Sequence, residues 1–139
     1  MRSSKPILLV EDDREDAMTV GLALKDLKVT NGLIHTVNGE EALEYLRSKD
    51  SKMPCIILLD LNMPKMNGIE FLKIAKADEG LKKIPVVVLT TSKDEQDVIE
   101  SFKLSVAGYI VKPADYKKFV EAVRALELYW TLSELPNRG

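Results

Sequence analysis

A chain of 139 residues is the size of one ordinary domain. With 45% hydrophobic and 30% charged residues it has the balance of a globular protein, not of a disordered or fibrous one. A net charge of −2 argues against a dedicated nucleic-acid binder, which shows a basic excess, and the single cysteine, Cys55, excludes an internal disulfide.

Cys55 has no CxxC partner and sits beside an apolar run, so it reads as a buried, inert thiol in a reducing compartment. The polar start of the chain is followed only by Ile7 to Val10, too short for a signal-peptide core or a membrane span. The expectation is a cytoplasmic protein acting on neither membrane nor nucleic acid.

Taken in order, Ile7-Leu8-Leu9-Val10 reads as a first strand, followed at once by Glu11-Asp12-Asp13. Ala17, Val20, Leu24 and Leu27 then recur at near-helical spacing. Leu33 to Val37 reads as a second strand, closed by Asn38-Gly39, and Ala42, Leu43 and Leu46 as a short helix. Ile56 to Leu59 is a continuous apolar run of the fully buried kind, ending at Asp60. Ile69, Leu72, Ile74 and Ala75 make a third helix. Pro85 opens the β-branched strand Val86-Val87-Val88-Leu89. Val98, Ile99 and Phe102 make a weaker helix, Ala107 to Val111 a fifth strand, and a last helix runs from Tyr116. Strands alternating with helices predict an α/β fold: a doubly wound parallel sheet with right-handed crossovers and helices on both faces.

Ligands of such sheets gather beyond the carboxyl ends of the strands. There the first strand delivers Glu11 and Asp12, the third Asp60, the fourth Thr90 and the fifth Lys112-Pro113. Three crowded carboxylates repel one another. A divalent cation together with Lys112 would balance them, and an all-oxygen ligand set suits Mg²⁺. Asp60 would then be an attacking carboxylate toward a phosphoryl group, with the metal and Lys112 neutralising the phosphoryl oxygens and Thr90 donating to one of them. Each residue also has a plainer reading. Asp12 or Asp13 can cap the helix that follows, and we expect one of them to do so. Thr90-Thr91-Ser92 can cap the fourth helix, and Tyr109 can be a static strand aromatic. His35, the only histidine, lies in a strand pattern and reads as structural. Met63 and Met66 read as packing residues.

The segments "ILLVEDD", "LLDLNMPKMNG", "PVVVLTTS" and "GYIVKP" together resemble the four motif segments of the bacterial response-regulator receiver domain, over about residues 5 to 125. The resemblance implies a flavodoxin-like five-stranded sheet in the order 2-1-3-4-5. It implies that Asp60 accepts phosphate from a histidine kinase and that Glu11, Asp12, Asp60 and the main-chain carbonyl of Asn62 hold Mg²⁺ or Mn²⁺. Thr90 and Tyr109 match the family's switch pair, Lys112 the phosphoryl-pairing lysine, and Pro113 the cis proline that usually follows it. Thr91 stands where many receivers have Ala or Gly, which is expected to alter phosphoryl lifetime.

"VVVLTTS", "DEQDVIESF" and the tail "FVEAVRALELYWTLSELP" are similar to single-domain regulators of phytochrome-type sensor kinases. Those lack a DNA-binding domain, and several form dimers through the last strand and helix. The expected organisation is a receiver over residues 1–127 and an extension of the last helix over 128–139, with no output domain. Phe119, Tyr129 and Trp130 are the expected homodimer anchors, because Leu128, Tyr129, Trp130, Leu132 and Leu135 exceed what one apolar stripe needs. A tail folded back on its own domain is the alternative. An aspartyl-phosphate phosphatase would need a second acid two residues after Asp60, where this chain has Asn62. A non-phosphorylated adaptor is disfavoured by the complete acid set, and a flavin carrier by the absence of a phosphate-cradling loop after the first strand.

Overall fold

The computed structural model describes residues 5–131. Five strands, β1 (Ile7–Val10), β2 (Leu33–Thr36), β3 (Ile56–Leu59), β4 (Val86–Thr90) and β5 (Gly108–Val111), alternate with α1 (Arg14–Asp26), α2 (Gly39–Arg47), α3 (Gly68–Ala77), α4 (Glu95–Lys103) and α5 (Tyr116–Arg124). A short α6 (Glu127–Thr131) follows. All strand pairs are parallel, in the order β2-β1-β3-β4-β5.

Side chains on a strand alternate between faces, and that period sorts the core into two layers. Leu8, Val10, Ile57, Leu59, Val86 and Val88 pack with Leu43 and Leu46 of α2 and Phe71 and Leu72 of α3. Ile7, Leu9, Ile56, Leu58, Val87 and Leu89 pack with Val20 and Leu24 of α1 and Phe119 and Val123 of α5. Because β1, β3 and β4 are covered on both faces, their residues are buried without exception, which is why they read as unbroken apolar runs.

The helix ends are fixed by local chemistry. Asp13, Asn38, Asn67, Asp94 and Asp115 each cap the helix that follows, their side chains accepting from its first free N–H groups. Asn67 and Glu70 form a reciprocal capping box. α4 is thus capped by Asp94, not by the Thr90-Thr91-Ser92 run. It turns Ser101 into the core and leaves Ile99 and Phe102 42% and 52% exposed.

Three expectations are corrected. The last helix does not run on into the tail: α5 stops at Arg124, and the separate α6 begins at Glu127. The chain turns back so that Leu126 and Trp130 enter the α1/α5 layer, and Trp130 is only 1% exposed. Phe119 is likewise buried, at 3%. Both aromatic side chains spend their apolar surface inside their own domain and offer none to a partner; Tyr129 is half-buried beside them. Leu132 and Leu135 lie outside the described residues. Finally, the Lys112–Pro113 peptide bond is trans, as are all the described bonds. The β4–β5 ladder continues through Lys112, whose N–H donates to the Thr90 carbonyl at 2.8 Å. The chain leaves β5 extended, in the isomer that X–Pro bonds ordinarily prefer.

Candidate functional site

Register decides which residues meet. Val10 pairs with Leu59, so Glu11 and Asp60 emerge side by side from the two central strands. Asp60 is anchored by its own N–H, which donates to the Val10 carbonyl at 3.0 Å. Thr90 pairs with Val111, which sets Lys112 one step beyond Thr90. The carboxylates of Glu11, Asp12 and Asp60 offer oxygens all within 4.8 Å of one another. Asp13, as the cap of α1, leaves Asp12 exposed and uncommitted to that cap.

The loop after Asp60 is held close by one glycine. The Gly68 N–H donates to the Leu61 carbonyl at 3.0 Å. A Cβ at position 68 would lie 2.6 Å from the Asp60 carbonyl oxygen and 2.8 Å from the Leu61 Cα. Only glycine lets α3 start this near the end of β3. Lys65, at φ 63°, turns the loop through the left-handed region. Asn62 is exposed two residues beyond Asp60.

Burial makes the charges matter. Glu11 is 1% exposed and Asp60 6%. One Glu11 oxygen accepts from Lys112 Nζ at 2.5 Å, the other from the Asp13 N–H at 3.1 Å. Loss of hydration pushes the Glu11 carboxyl up to about 7, with the Asp60 charge adding to the rise and Lys112 opposing it. For Lys112, burial alone would lower the pKa. The carboxylates of Glu11 and Asp16 outweigh it and hold the ammonium above its ordinary value. Thr90 is fully buried, its Oγ1 accepting from the Ser92 N–H at 3.3 Å. The Tyr109 hydroxyl donates to the Ser92 carbonyl at 3.0 Å, which ties β5 to the loop after β4. Burial, against the Ser92 bond, raises its pKa. Thr91 is exposed.

Two participants escape a reading by strand ends. Asp16, on the first turn of α1, accepts from Lys112 Nζ at 2.9 Å. It is separated from Lys112 by most of the chain, and only the packing of α1 beside the end of β5 joins them. His35 Nε2 lies 2.7 Å from the Glu11 carbonyl oxygen, so that nitrogen carries the proton and donates. His35 is therefore closer to the site than its strand position suggested.

Three buried or convergent carboxylates, a lysine and a hydroxyl at one sheet edge form an oxygen-donor pocket that fits Mg²⁺ or Mn²⁺. A family model for the response regulator receiver domain matches residues 7–124. The chain belongs to that family. Its relatives include response regulator Rcp1 of Synechocystis, 42% identical over 91% of this chain and 88% of that one. The crystal structure of the Mn²⁺-bound form of Rcp1 superposes with a TM-score of 0.83 at 41% identity, covering 91% of this chain and 94% of that one. The phosphorylated cyanobacterial phytochrome response regulator RcpA gives 0.84 at 39% identity, covering 92% and 94%. As a receiver, the protein is a signalling component of a two-component system, not a metabolic enzyme. Among the described residues, no helix of the receiver is long and apolar enough to cross a membrane.

Proposed function

We propose that this receiver takes a phosphoryl group on Asp60 from the phosphohistidine of a sensor kinase, with Mg²⁺ held by Glu11, Asp12, Asp60 and the Asn62 carbonyl. The carrying observation is the convergence of the three carboxylates within 4.8 Å, with Lys112 already on Glu11. An Asp60 oxygen attacks phosphorus, the phosphorus–nitrogen bond breaks, and the imidazole leaves with its electron pair and takes a proton. Mg²⁺, when bound, offsets charge on the phosphoryl oxygens. Lys112 pairs with one of those oxygens and Thr90 donates its hydroxyl to another. Water later cleaves the acyl phosphate, returning the carboxylate and inorganic phosphate, so the signal is reversible. Thr90 and Tyr109 flank the Ser92 loop and form the pair through which the change reaches the α4–β5 surface.

The likeness to Rcp1 and RcpA supports a phytochrome-class kinase as donor and a cytoplasmic setting. A homodimer is supported by β5 being an edge strand beside the exposed Ile99 and Phe102, with no part for Phe119 or Trp130. Residues 1–127 as receiver, with Trp130 of α6 closing its core, complete the reading.

The test is intact mass after incubation with Mg²⁺ and a small acyl-phosphate donor. The wild type should gain one phosphoryl group, and neither Asp60→Asn nor a chelated sample should gain any. Light scattering with and without beryllofluoride should show two chain masses in at least one state; one chain mass in both removes the homodimer.

A further inference from the structure

The receiver pocket holds one carboxylate more than a balanced set requires. Lys112 Nζ lies between Glu11 Oε1 at 2.5 Å and Asp16 Oδ2 at 2.9 Å. Glu11 belongs to the trio that can hold a cation, and Asp16 does not. A divalent cation and Lys112 together match the charges of Glu11, Asp12 and Asp60. Asp16 adds a further negative charge directly on the lysine. Its side chain is 40% exposed, whereas that of Lys112 is 9% exposed. It lines an open cleft of about 240 Å³ with Thr19, Lys112, Pro113, Ala114 and Tyr116.

We infer that Asp16 is a positioning residue that restrains Lys112, holding its ammonium toward α1 and opposing its transfer to the phosphoryl group. This rests on Asp60 being the phosphoacceptor and on Lys112 pairing with its phosphoryl group. The physical argument has two parts of the same sign. The ammonium must loosen a charge-assisted hydrogen bond to Asp16 to reach a new partner. The Asp16 charge also repels an incoming phosphoryl anion, through a medium less screening than bulk water. Half-exposure moderates both parts, so the restraint is tunable and not prohibitive. The Asp16 side chain makes no capping bond: α1 is capped by the Asp13 side chain accepting from the Asp16 N–H, and the Asp16 carboxylate accepts instead from Lys112.

The experiment compares wild type, Asp16→Asn and Asp16→Glu by calorimetric titration, first with Mg²⁺ alone and then with beryllofluoride at saturating Mg²⁺. Thermal unfolding verifies that each variant is folded. Asp16→Asn should bind beryllofluoride about 3- to 10-fold more tightly, the range expected for one partly screened charged contact. It should bind Mg²⁺ alone no more tightly than wild type, and Asp16→Glu should return beryllofluoride affinity to the wild-type level. A general structural role would not produce that split. Unchanged or weaker beryllofluoride binding by Asp16→Asn overturns the inference. So does an equal gain for Mg²⁺ alone, or a Glu variant that behaves like Asn. Wild-type protein that binds no beryllofluoride with Mg²⁺ would instead remove the phosphoacceptor reading on which the inference stands.

Discussion

Glu11 is the residue whose ionisation the fold resists most visibly. Its carboxyl is pushed from 4.5 to about 7, chiefly because burial strips its hydration. An acid with a raised folded pKa contributes most below its unfolded value, and that contribution is lost as pH rises through the folded one. In the presence of a chelator, melting temperature should therefore fall as pH rises from about 4.5 to about 7, and Glu11→Gln should flatten that fall. Mg²⁺ favours the ionised carboxylate and should recover the loss above about pH 7 in the wild type. A chelated wild-type profile as flat as that of the variant would contradict the account. Gly68 is the second residue with a sharp consequence. A methyl group there meets main-chain atoms at 2.6 and 2.8 Å, which no rotamer can relieve. Gly68→Ala should cost about 1–3 kcal/mol in denaturant unfolding. Its effect should extend to Mg²⁺ affinity, because the displaced atoms are those of Asp60 and Leu61. Unchanged stability would mean that the loop yields easily.

At the scale of elements, the apolar runs were legible because central parallel strands are buried on both faces and show no polar alternation. β3 ends where its run ends, at Leu59, and places Asp60 at the site. β2 was legible in place and less so in extent, being a half-exposed edge strand that stops at Thr36. What could not be read from element order was contact between elements. Nothing local in the sequence brings Asp16 to Lys112 or His35 to the Glu11 carbonyl; both need the finished packing. The tail misled for a related reason. A surplus of aromatic residues signals buried area without saying whose, and α6 turns Trp130 into the layer formed with Ile7, Ile56 and Leu126. Trp130→Ala should accordingly destabilise the single chain by about 3–5 kcal/mol. A purely intermolecular anchor would instead change association and leave the unfolding of the monomer as it was. The termination of α4 offers a gain. Ser105 sits at φ 62° just beyond the helix, with its N–H on the Phe102 carbonyl and that of Val106 on the Ser101 carbonyl. Glycine is favoured at this position, so Ser105→Gly should stabilise by about 0.5–1 kcal/mol in the same assay.

Across the whole molecule, the sheet serves as a ruler. Parallel register brings residues from four strands to one edge, and the two apolar layers make that edge rigid enough to hold carboxylates together against their repulsion. The cation and Lys112 relieve that repulsion, and Asp16 makes the relief incomplete. The resting site is thereby set to accept positive charge first and a phosphoryl group second. All of this depends on Asp60 being the atom donor in the new bond. The most direct measurement is to treat the protein with Mg²⁺ and a small acyl phosphate, reduce it with borohydride, and sequence its peptides by mass spectrometry. An aspartyl phosphate is reduced to homoserine and a glutamyl phosphate to 2-amino-5-hydroxypentanoic acid, so the account predicts homoserine at position 60, neither reduction product at positions 11, 12 or 16, and none without Mg²⁺. A reduced residue at another acid, or homoserine at position 60 with the cation removed, would contradict it.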